Sequence, residues 1–409
     1  MSDTGTDPLA PPGETHGHAS ERFAALGADF AASISDGREL GASLCVIIDD
    51  EVEVDLWGGW ADAGATAATA TATATGESAH TPTPWTADTI TNVWSISKTA
   101  AALAALTLAD RGALDLGAPV AHYWPEFGAA GKAGITVREL LTHTAGVVAW
   151  DQPVRADEIL DVEASSARLA AQEPWFAPGG EPGYAVTCYG HLIDAIVRRV
   201  DGRPLGAFVQ DELADPLGAD FWLGLPESED ERVSLVVPPP KVPLDPERRA
   251  PAGSISARAF TSPNVDARKS WSREWRAAGI GGAGGQANAR SVARLVQAVA
   301  QGGVVDGTRM LRPDTLDEVF TTRAEGHDQV LRLPIRWGAG FAHPAPGSAP
   351  WLPQDGRIAY WGGWGGALVI CDADRRMTFA YVMNRMAASV IGSERSIALV
   401  RRAYETLGG

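Results

Sequence analysis

The sequence predicts an α+β fold in which an antiparallel sheet flanked by helices is built from both ends of the chain, with a mostly helical domain inserted between them. Three observations lead there. Strand-like runs are confined to ASLCVIIDDEVEVDLWGGWAD near the start and to the region after Trp337, helical spacing dominates the segment between, and a helical pattern stands near each end. The expected division is a flexible leader over 1–20, an α/β domain from 21–110 and 285–409, and a mostly helical domain with connecting loops over 111–284.

The leader, MSDTGTDPLAPPGETHGHAS, lacks the charged and then apolar profile of a secretory signal and reads as a flexible cytoplasmic segment. ERFAALGADFAASISDG spaces Phe, Leu and Phe as a helix does, and the following apolar runs form two strands with a turn at Asp49-Asp50. Residues 61–84, ADAGATAATATATATGESAHTPTP, are low in complexity and carry no core periodicity, so they are expected to loop off the hairpin as the least ordered internal segment. TAAALAALTLADR (99–111) is apolar almost all round, as a helix buried between layers would be, and is too short to span a bilayer. Helical patterns follow over 137–141, 157–172, 189–200 and 205–213, which makes the middle third read as all-helical. VSLVVPPPKVPLDPERRAPAGSISARAF is proline-rich and weakly patterned, a long surface crossing. Helix returns at 291–300, RWGAGFAH, RIAYWGGWGGALVICDAD and MTFAYVMNRM read as strands with turns between, and 394–406 closes the chain as a helix.

Composition excludes several classes. Apolar residues make up 45% of the 409, enough for a sizeable core without a staple. A formal charge of −17, from 51 acidic against 34 basic residues, argues against nucleic acid or an anionic membrane surface as partner, and no apolar run reaches membrane-spanning length. Cys45, Cys188 and Cys371 lie far apart without metal-ligand spacing, and the histidines form no HExxH or His-x-His pair. Neither a metal nor another cofactor is expected.

Chemistry concentrates at Ser95-Ile96-Ser97-Lys98, where a Trp/Val stretch gives way to the most apolar helix. Residues three apart share a helical face, so Lys98 can reach the Ser95 hydroxyl. A serine hydroxyl is a weak nucleophile until a base takes its proton, and a lysine serves as that base once burial lowers its pKa. Ser-x-x-Lys arises readily by chance, but lysines occur only at 98, 132, 241 and 269, and only Lys98 has a serine three residues before it. A second candidate is Tyr184 in PGYAVT, just before an apolar helix, where its hydroxyl could carry a proton or its ring could simply pack the helix start. The third is Trp361-Gly362-Gly363-Trp364-Gly365-Gly366, whose paired glycines in a strand pattern suggest close approach by another backbone or a ligand.

Taken in order, VWSISKTAAALAALTLADRGALDLGAPV, ITVRELLTHTAGV, the stretch from PGYAVTCYGHLIDAIVRRV to WLGLP, GAGGQANARSVARL and WGGWGGALVICDADRRMTFAYVMNRM resemble the serine β-lactamase and penicillin-binding-protein superfamily, and within it the family VIII carboxylesterases. The resemblance runs from about Phe23 to Leu407. It implies the β-lactamase/transpeptidase-like form of the α+β fold, Ser95 as the acylated nucleophile, Lys98 as its base partner and Tyr184 as general acid/base. It also implies an oxyanion hole from the backbone amides of Ser95 and Trp364, and Trp361, Gly362 and Gly363 as the substrate-binding third motif. In the same family pattern His143, within LTHTAG, is expected to be structural, because Lys98 already fills the place a triad histidine would take.

Two departures bear on substrate. Val186 stands where β-lactamases usually carry Asn, and Trp361 replaces the lysine that would bind a β-lactam carboxylate. Both turn the expectation towards a small-molecule partner that is a neutral, small to medium hydrophobic ester, hydrolysed through an acyl-Ser95 intermediate. The fourteen tryptophans, among them Trp94, Trp150, Trp175, Trp361 and Trp364 near the motifs, suggest an aromatic acyl or alcohol pocket beside their ordinary use in core packing. The alternatives are an acyltransferase of the same fold and a β-lactamase or D-aminopeptidase-like hydrolase. A binding protein without catalysis is opposed by the intact set of Ser95, Lys98 and Tyr184.

Overall fold

A computed structural model describes residues 12–61, 82–151, 153–240 and 250–408. Its strands run in chain order as β1 (Thr15–Ala19), β2 (Gly41–Ile48), β3 (Glu51–Gly59), β4 (Ile90–Trp94), β5 (Phe221–Trp222), β6 (Val233–Ser234), β7 (Gly285–Ala287), β8 (Val304–Val305) and β9 (Thr308–Arg309), followed by β10 (Ala324–His327), β11 (Pro334–Trp337), β12 (Ala342–His343), β13 (Ile358–Gly362), β14 (Leu368–Asp372) and β15 (Met377–Met383). Nine of them form one antiparallel sheet in the order β1-β3-β2-β15-β14-β13-β12-β11-β10. The first and last thirds of the chain therefore meet at β2 and β15, paired from Ala42↔Met383 to Ile48↔Met377.

The central strands are buried on both faces, which is why β2, β14 and β15 read as continuous apolar runs rather than alternating ones. Successive side chains of β14 point to opposite sides. Cys371 faces helix Ala289–Ala300, its thiol 3.8 Å from the Val296 carbonyl, while Asp372 accepts from the Tyr404 hydroxyl of helix Glu394–Thr406 at 3.1 Å. The sheet is thus sandwiched between one internal helix and the helices at the two ends, Ala24–Ser35 and Glu394–Thr406. The hairpin turn between β2 and β3 falls at Asp49-Asp50 as expected, with positive φ at both residues as a two-residue I′ turn requires.

A second, four-stranded sheet, β5-β7-β4-β6, joins short strands of the middle segment to strands on either side of it. Helix Ser97–Asp110 leaves β4 and is almost wholly buried, packing on helix Tyr189–Val200. That close approach depends on small residues: a Cβ on Gly190 would lie 2.2 Å from the backbone of Gly281 and Gly282.

Several expectations are corrected. The leader drawn over 1–20 is not flexible at its end, because Thr15–Ala19 pairs with β3 as an edge strand; the pairing is a backbone ladder to which His16 adds a ring contact with Trp57, and THGHA has no apolar alternation to announce it. Residues 1–11 lie outside the described residues, as does most of the Ala/Thr-rich segment, 62–81. The middle third is not all-helical, since β5 and β6 are two-residue strands too short for a periodic signal. The proline-rich crossing is tied to the chain just past β15, where Val237 bridges Arg385; 241–249 lie outside the described residues.

Gly190→Ala is expected to lower unfolding stability by about 1–3 kcal/mol, the cost of forcing an extra methyl against backbone that cannot step aside. Chemical denaturation of the purified variant measures it.

Candidate active site

β4 delivers the chain to a sharp turn, with Trp94 at φ 49, and helix Ser97–Asp110 begins two residues after Ser95. The two serines of the turn are used differently. Ser97 is consumed by the fold, its hydroxyl donating to the Trp94 carbonyl at 2.5 Å and accepting from the Gly285 amide at 2.8 Å. Ser95 instead accepts from Lys98 Nζ at 3.1 Å.

Lys98 is buried, and among the described residues its ammonium has no carboxylate partner; Nζ donates to the carbonyls of Val186 at 2.6 Å and Gly282 at 2.7 Å. Burial lowers its pKa from 10.5 to about 7, the neighbouring Cys188 opposing slightly. Cys188 itself stays a thiol, since burial pushes it up to about 12. In the neutral amine, two N–H bonds to the carbonyls leave the lone pair for the Ser95 proton.

Tyr184 lies with its ring over Lys98, Nζ being 4.7 Å from the ring centroid. Burial raises its pKa; the Ser95 hydroxyl and the Trp361 indole face the phenol and offset part of that rise, although neither completes a well-formed hydrogen bond with it. The loop carrying Tyr184 is held amide by amide. Gly183 donates to the His143 carbonyl at 2.8 Å, Tyr184 to Asp328 Oδ1 at 3.1 Å, Ala185 to His143 Nδ1 at 3.1 Å and Val186 to the Val148 carbonyl at 3.2 Å. Burial and the charge of Lys98 keep the His143 imidazole neutral, which suits it to accept from an amide. Its place is behind Tyr184, as a structural role requires.

β13 ends at Gly362, and Gly363–Ala367 turn the chain into β14. The close approach expected of the paired glycines is there: a Cβ on Gly363 would lie 2.4 Å from the Val93 carbonyl, so the third motif rests on the strand that leads to Ser95. The turn is stitched by the amides of Gly363, Gly365 and Gly366, and the Trp364 N–H takes no part in that stitching. The Trp364 ring packs edge-on against Trp94 at 5.0 Å.

The tryptophans do not form one pocket. Trp94 and Trp364 flank the Ser95 turn, and Trp361 is buried between Tyr184 and Trp337, with ring centroids at 5.1 and 4.6 Å. Trp150 and Trp175 line a separate cavity of about 210 Å³ with Arg258 and Ser262. Sequence reading missed Gly282, the Val186 carbonyl, Asp328 and Trp337. The first two act through backbone, which side-chain identity does not report; for Asp328 the one signal was a lone carboxylate beside an apolar hairpin turn.

An antiparallel sheet whose helical junction carries a Ser-x-x-Lys turn defines a class of serine acyl-transferring enzymes. Residues 21–402 match the Beta-lactamase family, and the chain belongs to it. It is similar to Esterase/beta-lactamase LipL of Mycobacterium tuberculosis, 31% identical over 389 residues covering 93% of this chain and 85% of LipL. Esterase EstB of Burkholderia gladioli is 29% identical over 315 residues, 68% of this chain and 73% of EstB. A crystal structure of a family VIII carboxylesterase superimposes with a TM-score of 0.85 at 35% identity, over 96% of this chain and 100% of that one.

With Lys98 at about 7, the neutral base is lost as pH falls through that value. kcat/KM on a neutral ester is expected to rise with pH through an acid limb near 7, and Lys98→Arg is expected to be as inactive as Lys98→Ala at every pH, because guanidinium stays protonated. An acid limb above about 9 in the wild type would contradict the assigned base.

Proposed function

We propose that this protein is a serine carboxylesterase that hydrolyses small to medium hydrophobic esters through an acyl-Ser95 intermediate. The observation that carries the reading is the contact of Lys98 Nζ with Ser95 Oγ at 3.1 Å, in a buried seat where none of the described carboxylates pairs with it. The esterase names of similar proteins support the ester class.

In this reading Lys98 takes the Ser95 proton as Oγ attacks the ester carbonyl. The oxyanion is received by the amides of Ser95 and Trp364, where fixed dipoles meet developing charge. Tyr184 gives a proton to the leaving alcohol, and the same groups run in reverse when water attacks the acyl-enzyme. Trp361 stands where a carboxylate-binding lysine would be, and its burial beside Tyr184 places an apolar wall there. A neutral acyl or alcohol group suits that wall better than a charged one.

Ser95→Ala is expected to abolish turnover of p-nitrophenyl esters with the circular dichroism spectrum unchanged, and a slow-turnover ester should add its acyl mass to the Ser95 peptide of the wild type. Retention of more than a few per cent of turnover by Ser95→Ala would remove the nucleophile. Tyr184→Phe, which loses only a hydroxyl, is expected to lower kcat at least about a hundredfold. Incubation with EDTA should leave activity unchanged; loss restored by zinc would place the enzyme in another mechanistic class.

A further inference from the structure

We propose that Asp328 is a positioning residue for the acid/base tyrosine: its carboxylate fixes the backbone of Tyr184 and thereby the direction in which the phenol points. The proposal rests on the reading of Tyr184 as acid/base given above.

Asp328 opens the turn between β10 and β11, far along the chain from Tyr184, and is fully buried. Its Oδ1 accepts three amides, those of Tyr184 at 3.1 Å, Val330 at 2.9 Å and Leu331 at 2.8 Å. Two of these bonds shape the hairpin's own turn, a task that Asn, Asp or Ser performs at exposed turns throughout proteins. Burial of a carboxylate is costly and needs hydrogen-bond compensation. The third bond is the one that reaches outside the turn, and it ends on the residue whose hydroxyl faces Ser95.

The hairpin grips the tyrosine loop at two further points. The Gln329 amide donates to the Pro182 carbonyl at 2.9 Å, two residues before Tyr184. At the end of β11 the Trp337 ring lies parallel to that of Tyr184, with 3° between planes and 6.1 Å between centroids. The Trp337 indole also faces the Asp328 carboxylate. One hairpin therefore sets both backbone and ring of Tyr184, and Asp328 is where the two grips join. The hydroxyl lies at the far end of the side chain from its amide, so a small rotation at the backbone becomes a larger displacement at the oxygen. Misplacements of about 1 Å in a reacting group can cost a hundredfold in rate.

The test separates shape from charge. Asp328→Asn keeps an acceptor oxygen where Oδ1 stands and should retain kcat within about threefold. Asp328→Ala removes the acceptor and Asp328→Glu keeps the charge but lengthens the arm. Both should lower kcat at least about tenfold while KM stays within about threefold. In a Tyr184→Phe background, Asp328→Ala should cost less than about twofold, because the group it positions is gone. Near-ultraviolet circular dichroism checks folding, and should the alanine variant fail to fold, the contrast of Asn with Glu decides. Wild-type kcat in folded Asp328→Ala, an undiminished loss in the Tyr184→Phe background, or Asn as impaired as Glu overturns the proposal while leaving the tyrosine's role intact. Wild-type turnover in Tyr184→Phe alone would instead remove that role, and with it the proposal.

Discussion

The site depends on the burial of one lysine that has no counter-ion among the described residues. An ammonium taken out of water pays heavily unless it is paired or sheds its proton, and none of the described carboxylates is placed against Lys98. Two backbone carbonyls are the compromise: they satisfy the N–H bonds without fixing the charge as a carboxylate would. They come from loops far apart in sequence, before helix Tyr189–Val200 and before β7, so the base is poised only when the helical segment and the second sheet have closed on one another. The glycines at 190, 281 and 282 belong to the same constraint, because backbone must approach backbone for the Gly282 carbonyl to arrive.

Desolvation acts in opposite senses on the two partners of Ser95. It lowers Lys98 to about 7 and raises Tyr184, so that above about pH 7 an uncharged amine and an uncharged phenol face the same hydroxyl. In the proposed reading one takes a proton and the other gives one, with neither of these two groups charged at rest above about pH 7. Such an arrangement must be held by geometry rather than by ion pairing. That accounts for the density of amide bonds along the Tyr184 loop and the aromatic packing of His143, Trp337 and Trp361 around its ring.

The legible parts of this molecule are those in which side chains declare themselves. Helix Ala24–Ser35, helix Tyr189–Val200 and the closing helix appear in apolar spacing, the β2–β3 turn in its paired aspartates, and Ser95 and Lys98 in a motif made specific by the scarcity of lysine. The paired glycines at 362 and 363 rightly announced a close backbone approach, although not that Val93 would be the partner. What stayed hidden was carried by backbone or by distance. β1 pairs without an apolar alternation, β5 and β6 are too short for periodicity, and the carbonyls that seat Lys98 carry no residue signature. The tryptophans misled in another way: composition counts them together, while the fold distributes them between the Ser95 turn, the wall behind Tyr184 and a separate cavity.

Part of what seats the proposed reacting groups is backbone, and at such positions the side chain carries none of that task. At position 186 the carbonyl holds Lys98, so a polar side chain could give way to valine there without disturbing the base. At the third motif, the contact that fixes its approach to the strand leading to Ser95 is made at Gly363 against Val93, while the Trp361 ring is buried against Tyr184 and Trp337. In the proposed reading the main chain at 186 and 363 thus keeps the acylation machinery in register, the one by holding Lys98 and the other by resting on Val93. On that reading a tryptophan in place of a lysine at 361 would alter which molecules are attractive without altering how their carbonyl is attacked, a physical route from a fold shared across a family to an ester-directed site.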